Sequence, residues 1–232
     1  MCTGFIVKGD DLLFAFNMDL DPETWSYDIY KTDSYFTVGI KVGSRVYYTH
    51  GVNRNGSFGN LPYMNGEDMA IPKGVKRQRI DLLIDKYIRG KHSYDDVLDV
   101  LESKTLVNIP ACSMHSLVGD KDGHILLLEP GYGTKEIKED FGVITNFPIQ
   151  ANLKDFSNPF YGKDRYDKVK RTISKRKKNF GVQDALKLLE SVKQEGKWAT
   201  RVSFVYSRNE NRVYYCLDNN FDNIQTHEFK QP

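Results

Sequence analysis

The sequence is short of most features that would tie it to a disulfide-bonded, membrane-spanning or nucleic-acid-binding protein. It carries only three cysteines in 232 residues. Being odd in number and without metal-ligand spacing, they argue against a disulfide framework and for a reducing compartment. Cys112 and Cys216 read as buried structural thiols. Nowhere do about eighteen apolar residues follow one another, and Lys8, Asp10 and Asp11 interrupt the apolar run near the start. Neither a membrane span nor a secretory signal is therefore expected, and the default location is cytoplasmic. A net charge of +2 gives no global attraction to nucleic acid or anionic membranes. Internal repeats, low-complexity tracts and linkers are missing as well. What is present, 40% hydrophobic and 28% charged residues, suffices for a substantial core, and a single domain over residues 1–232 is expected. No cofactor and no metal are expected, and a homo-oligomer is left open.

Residues 1–19 read as a β-hairpin, Cys2 to Val7 and Leu12 to Phe16 with a turn at Lys8-Gly9-Asp10-Asp11. A loop of even length there would put Cys2 and Asp19 on one face. Asp21 to Trp25 reads as an exposed loop bordering a pocket. Tyr35–Val42 and Ser44–His50 alternate as strands, and Asn55-Gly56 suits a turn with positive φ. From Arg79 to Arg89 the apolar residues Ile80, Leu83, Ile84, Tyr87 and Ile88 recur at helical spacing, and Gly90 ends the run. A second helix follows Ser93 as N-cap, with Val97, Leu98 and Leu101 on one face. Strands return at Ser113–Asp120, His124–Glu129 and Phe141–Asn146, helices at Asp164–Lys178 and Val182–Glu195, and strands at Val202–Ser207 and Arg212–Leu217. Helical pairs inserted between runs of antiparallel strands give an α+β fold in four layers, an αββα sandwich of two antiparallel sheets between helices.

Cys2 is the first candidate for chemistry. Removal of Met1, expected because initiator methionine is cleaved before small residues, leaves a cysteine with a free α-amine. That amine titrates near 7.7–8.0 and a thiol near 8.5, so the amine can take the thiol proton at roughly neutral pH, and nucleophile and base sit on one residue. Taken alone, the position equally suits a small apolar residue of an edge strand.

The order of the polar residues adds a resemblance. Cys2-Thr3-Gly4, Asn17-Met18-Asp19, Gly51-Val52-Asn53 with Gly56, Asn60-Leu61-Pro62, Leu126-Leu127-Leu128-Glu129-Pro130 and Gly142-Val143-Ile144-Thr145-Asn146-Phe147-Pro148 together resemble the choloylglycine hydrolase family. These linear amide hydrolases include bile salt hydrolases and penicillin V acylases and belong to the N-terminal nucleophile superfamily. The resemblance implies the same αββα fold and a small-molecule N-acyl amide substrate. It implies Cys2 as nucleophile, Asp19 orienting the amine through a charge-assisted hydrogen bond, and Asn146 donating to the oxyanion. Losing one such donor commonly costs roughly 10²–10³ in rate. Asn60 or Tyr63 fits the second position at the anion site, with Asn60 preferred. Arg165 matches the cationic residue, with Lys168 and Arg201 as competing choices.

The chain also departs from the family. Phe16 stands where the family commonly carries arginine, and the chain is shorter than typical bile salt hydrolases. Both put in doubt a charged or sterol-shaped pocket. Phe16, Trp25, Tyr27, Phe58 and Tyr63 are the aromatic candidates for lining an acyl pocket. An amidase, an acyltransferase passing the acyl group to an amine, and a non-catalytic acyl-binding protein all fit this reading. A papain-like site pairing Cys112 with His115 is disfavoured, because three residues apart on a strand point to opposite faces.

Overall fold

The computed structural model describes residues 2–65, 74–110, 112–151, 161–176 and 179–230. In chain order the first half runs β1 (Cys2–Lys8), β2 (Leu12–Asp19), β3 (Ser26–Lys31), β4 (Tyr35–Val42), β5 (Arg45–Asn53), β6 (Phe58–Gly59), β7 (Arg77–Arg79), α1 (Ile80–Ile88) and α2 (Tyr94–Ser103). The second half runs β8 (Thr105–Val107), β9 (Ser116–Gly119), β10 (Ile125–Glu129), β11 (Gly133–Glu136), β12 (Phe141–Ile144), α3 (Lys163–Arg176), α4 (Val182–Ser191), β13 (Thr200–Ser207), β14 (Arg212–Leu217) and β15 (Gln225–Glu228).

Two antiparallel sheets form the body. One is ordered β12-β1-β2-β13-β14-β15 and the other β11-β10-β9-β6-β5-β4-β3, with a small parallel ribbon of β7 and β8. Three apolar clusters define the layers. Alternate residues of the first sheet, including Ile6, Phe14, Phe16, Met18, Val202 and Phe204, meet Phe36, Val38, Phe58 and Leu117 of the second. The opposite face of the first sheet, with Phe5, Leu13, Ala15 and Val205, is covered by Val169 and Ile173 of α3 and by Ala185, Leu186 and Leu189 of α4. Leu83, Ile84 and Tyr87 of α1 and Val97 of α2 cover Val118, Leu126 and Leu128 of the second sheet. The central strands of each sheet are thus covered on both faces, and the chain is the αββα sandwich that its pattern implies. Among the described residues no helix is long and apolar enough to cross a membrane.

Local chemistry sets several boundaries. α1 stops where Gly90 takes φ +69. α2 begins with a capping box, in which Ser93 Oγ accepts the Asp96 N–H at 3.1 Å and Asp96 Oδ2 accepts the Ser93 N–H at 2.7 Å. The Asn55-Gly56 turn closes as expected, with Gly56 at φ +79 and Asn53 Oδ1 accepting from the backbone of Asn55 and Ser57.

The hairpin register corrects one expectation. Lys8 pairs with Leu12 and Cys2 with Met18, so the connecting loop, Gly9-Asp10-Asp11, has an odd length of three. Cys2 therefore shares its face with Met18, Phe16 and the inter-sheet core, whereas Asp19 turns to the opposite, helix-covered face. Nor is β1 an edge strand, since it lies between β12 and β2. The α2 face is also shifted, because Leu98 is exposed while Val97, Val100 and Leu101 pack inward. α4 ends at Ser191 rather than Glu195, and the expected last residues of α3, 177–178, lie outside the described residues. Strands β3, β6, β7, β8, β11 and β15 are not legible in the pattern.

Candidate active site

The start of β1 is where the two faces of the first sheet exchange polar groups. Cys2 is buried, with its side chain on the inter-sheet face. Its backbone nitrogen, which becomes the α-amine if Met1 is removed, donates to Asn146 Oδ1 at 2.7 Å. Arg165 of α3 approaches the same residue from the helix side. One of its nitrogens donates to Cys2 O at 2.5 Å and to Thr3 Oγ1 at 2.6 Å, and the other donates to Asn146 Oδ1 at 2.9 Å. The Asp19 carboxylate lies 3.6 Å from the guanidinium and accepts from Thr200 Oγ1 at 2.6 Å. A bulge in β13 makes that last contact. Val202 pairs with Met18, but Thr200, not Arg201, pairs with Asp19, which keeps the threonine on the carboxylate's face.

The Asn146 amide can be oriented in only one way by its partners. Its oxygen faces two donors, and its nitrogen donates to the Tyr63 carbonyl at 2.7 Å. Asn60, also fully buried, is held differently. Its oxygen accepts the Leu117 N–H at 2.9 Å, while Nδ2 has no hydrogen-bond partner. That free amide lies 2.9 Å from where a side chain on Gly4 would begin. Gly4 is two residues from Cys2 on the same face, so a buried, unsatisfied donor stands beside the thiol's strand. Unpaired buried donors are uncommon and call for an explanation.

Burial dominates the electrostatics. It pushes the Cys2 thiol up, and the nearby positive chain terminus works in the other direction. Burial likewise raises the Asp19 carboxyl to about 7, against the pull of the chain terminus, Arg165 and Thr200. His50 of β5 is held down at about 3, first by burial and then by the charged terminus. Its Nδ1 accepts the Leu61 N–H at 3.1 Å, and its ring stacks on Phe16 at 4.4 Å between centroids. A neutral imidazole stacked on an aromatic ring thus occupies the inner face beside Phe16, the residue that stands where the resembled family commonly carries arginine. Neither the composition nor the motifs had drawn attention to His50.

No protein-family model matches the sequence, and no curated protein matches it by sequence. Solved structures do match. Two structures of variants of the conjugated bile acid hydrolase from Clostridium perfringens superpose with TM-scores of 0.68 and 0.69, each at 14% identity, covering 98% of this chain and 92% of the other. Penicillin V acylase from Agrobacterium tumefaciens matches with a TM-score of 0.58 at 14% identity, covering 93% and 83%. The Caenorhabditis elegans ortholog of N-acylethanolamine-hydrolyzing acid amidase matches at 0.60 and 14%, covering 89% and 93%. The chain shares their fold.

Of the residues singled out from the sequence, Cys2, Asp19, Asn146 and Arg165 converge directly. Asn60 lies beside them. The competing cations lie elsewhere: Lys168 ties α3 to the Ser191 carbonyl, and Arg201 reaches the Leu20 carbonyl and Asp218. Tyr63 takes part through its carbonyl, while its side chain is exposed. Trp25 is partly exposed next to the start of β3. Phe16 is fully buried two positions from Met18, on the Cys2 face. Phe58 is not brought to the thiol. Its ring stacks on Phe14, which pairs with Ile6 farther along the hairpin, making it part of the sheet-to-sheet core. The Cys112–His115 alternative is disfavoured because both ring nitrogens of His115 are engaged, by Glu129 and by the Thr145 carbonyl.

Proposed function

We propose that the chain hydrolyses a linear amide bond in a small N-acyl substrate, with Cys2 as nucleophile and its own α-amine as base once Met1 has been removed. One observation carries this reading: the Cys2 nitrogen is held at 2.7 Å by an asparagine oxygen that a buried arginine also grips. Elaborate fixation of a strand-terminal nitrogen has an obvious use if that nitrogen must exchange protons.

In this reading the amine takes the thiol proton and the thiolate attacks the amide carbonyl. The oxyanion is stabilised by the free Asn60 N–H and by the Asn146 N–H not given to Tyr63. The C–N bond then breaks, the ammonium returns the proton to the leaving amine, and the acyl group stays on sulfur as a thioester. Water, giving a proton to the same amine, attacks the thioester and releases the acid and the free thiol. Arg165 is a positioning residue, since it holds the main chain of Cys2 rather than the thiol, and Asp19 acts through it, its carboxylate standing against the guanidinium. The stack of Phe16 on uncharged His50 favours an apolar, uncharged acyl group.

The intact mass of the purified chain, before and after brief incubation with glycine-conjugated bile salt, penicillin V and an acyl-homoserine lactone, tests the proposal. A mass lacking Met1 together with an acyl adduct, or with released amine that Cys2→Ala fails to produce, is the expected result. Equal turnover by Cys2→Ala refutes it. Adding an acceptor amine and measuring transfer against hydrolysis separates an acyltransferase from a hydrolase.

A further inference from the structure

Behind Asn146 lies a fully buried pair outside the steps just described. The β9–β10 register, Leu128 opposite Ser116, sets Glu129 opposite His115 when continued by one position. Both side chains have no exposed surface. His115 Nε2 lies 2.9 Å from the Thr145 carbonyl and therefore carries a hydrogen, because a carbonyl only accepts. Nδ1 lies 3.0 Å from Glu129 Oε1. The same carboxylate accepts the Ile149 N–H on Oε1 at 2.7 Å and the Gln150 N–H on Oε2 at 2.8 Å.

These contacts fall at the two ends of one loop, Thr145 on one side of Asn146 and Ile149-Gln150 on the other. Between them Pro148 has no N–H to contribute. The loop follows β12 and, among the described residues, has no strand partner at these positions; the Asn65 N–H donates to Asn146 O at 2.7 Å, and the acid and the imidazole hold the positions on either side. A buried pair of this kind gains little net stability over apolar residues of equal volume. Apolar contacts, however, cannot fix a carbonyl and two N–H groups at once.

We propose that the His115–Glu129 pair positions the nucleophile: it clamps the Thr145–Gln150 loop at both ends and thereby holds the Asn146 amide against the Cys2 nitrogen. As a statement about turnover this rests on the amidase reading. As a statement about where Asn146 sits it does not.

Two measurements test it. In the wild-type chain, backbone hydrogen exchange at Ile149 and Gln150 is expected to be as slow as in β12, although both residues are in irregular structure. In Glu129→Gln, one oxygen must serve where two did, so one loop N–H loses its partner. The Asn146 side-chain amide signals in ¹⁵N-correlated NMR spectra are then expected to shift, and kcat to fall roughly 10²-fold with little change in KM, as for a misplaced catalytic group. Fast wild-type exchange at both amides overturns the proposal, as does a Glu129→Gln chain that retains both the Asn146 signals and kcat. The exchange arm needs no variant and decides even if Glu129→Gln fails to fold. If the wild type turns over no amide, the amidase reading falls, while exchange and the Asn146 signals still judge the clamp.

Discussion

Replacing Asp19 by asparagine is expected to stabilise the chain above neutral pH while weakening its chemistry. The Asp19 carboxyl is buried and its folded-state value rises from 3.8 to about 7. A raised value means that the folded state prefers the protonated acid. The carboxyl thus costs nothing below about pH 3.8, and stability is lost as pH rises toward 7. Moving from 3.8 to about 7, at about 1.4 kcal/mol per pH unit, amounts to roughly 4 kcal/mol. Asparagine imitates the neutral acid in shape and keeps an acceptor for Thr200. Urea unfolding of wild type and Asp19→Asn at pH 4, 6 and 8 is therefore expected to show a difference below about 1 kcal/mol at pH 4, growing to roughly 4 kcal/mol in favour of the variant at pH 8. His50 titrates in both chains and cancels in the difference. A difference independent of pH, or one favouring the wild type more as pH rises, would mean that Arg165 and the chain terminus outweigh burial, and would refute the argument. Under the proposed mechanism the same variant should also lose amidase turnover, because the neutral amide no longer offers a charge to the Arg165 guanidinium that holds Cys2.

His50→Gln should lose less stability on acidification. The wild-type imidazole is depressed from 6.5 to about 3, so its contribution is present above pH 6.5 and lost as pH falls, by roughly 3 kcal/mol at pH 4; unchanged acid sensitivity in urea titrations would contradict this. Arg165→Lys should not restore function, because one ammonium cannot span Cys2 O, Thr3 Oγ1 and Asn146 Oδ1 as the guanidinium fork does. Arg165→Met should cost about 3–5 kcal/mol in chemical denaturation, as expected when one member of a buried ion pair is removed. Gly4→Ala would put a methyl 2.9 Å from both Asn60 Nδ2 and a Phe16 ring carbon and 3.0 Å from Ile144. A loss of about 1–3 kcal/mol together with reduced kcat is expected, and wild-type kcat in that variant would argue against Asn60 as an oxyanion donor.

Much of this molecule could be read from the sequence, because its strong elements obey local rules. α1 is set by the spacing of Ile80, Leu83, Ile84 and Tyr87, and α2 by the Ser93 cap. The layers follow from helical pairs inserted between alternating strands. The elements that escaped are held by something other than their own side-chain pattern. β11, Gly133–Glu136, is exposed along its length and exists because β10 offers it a backbone edge. β3 and β15 are likewise edge strands with mixed exposure. The hairpin register turned on a single loop residue, and a slip of one residue exchanges the faces of a strand. That exchange placed Asp19 behind Cys2 rather than beside it.

The same division runs through the candidate site. By itself the sequence determined which residue types come in which order, from Cys2 through Asp19 and Asn60 to Asn146, because motif order survives as text. It could not choose among Arg165, Lys168 and Arg201, since a basic helix offers several similar charges. Only the docking of α3 on the first sheet decided that one guanidinium, buried against the Cys2 carbonyl and the side-chain oxygens of Thr3 and Asn146, reaches Cys2. Nor could it choose between Asn60 and Tyr63, or link His115 to Glu129 and both to Asn146. Those links join the sheets and the loop after β12 across long stretches of chain, and hydrogen-bond geometry arises only when the tertiary structure has brought the partners together.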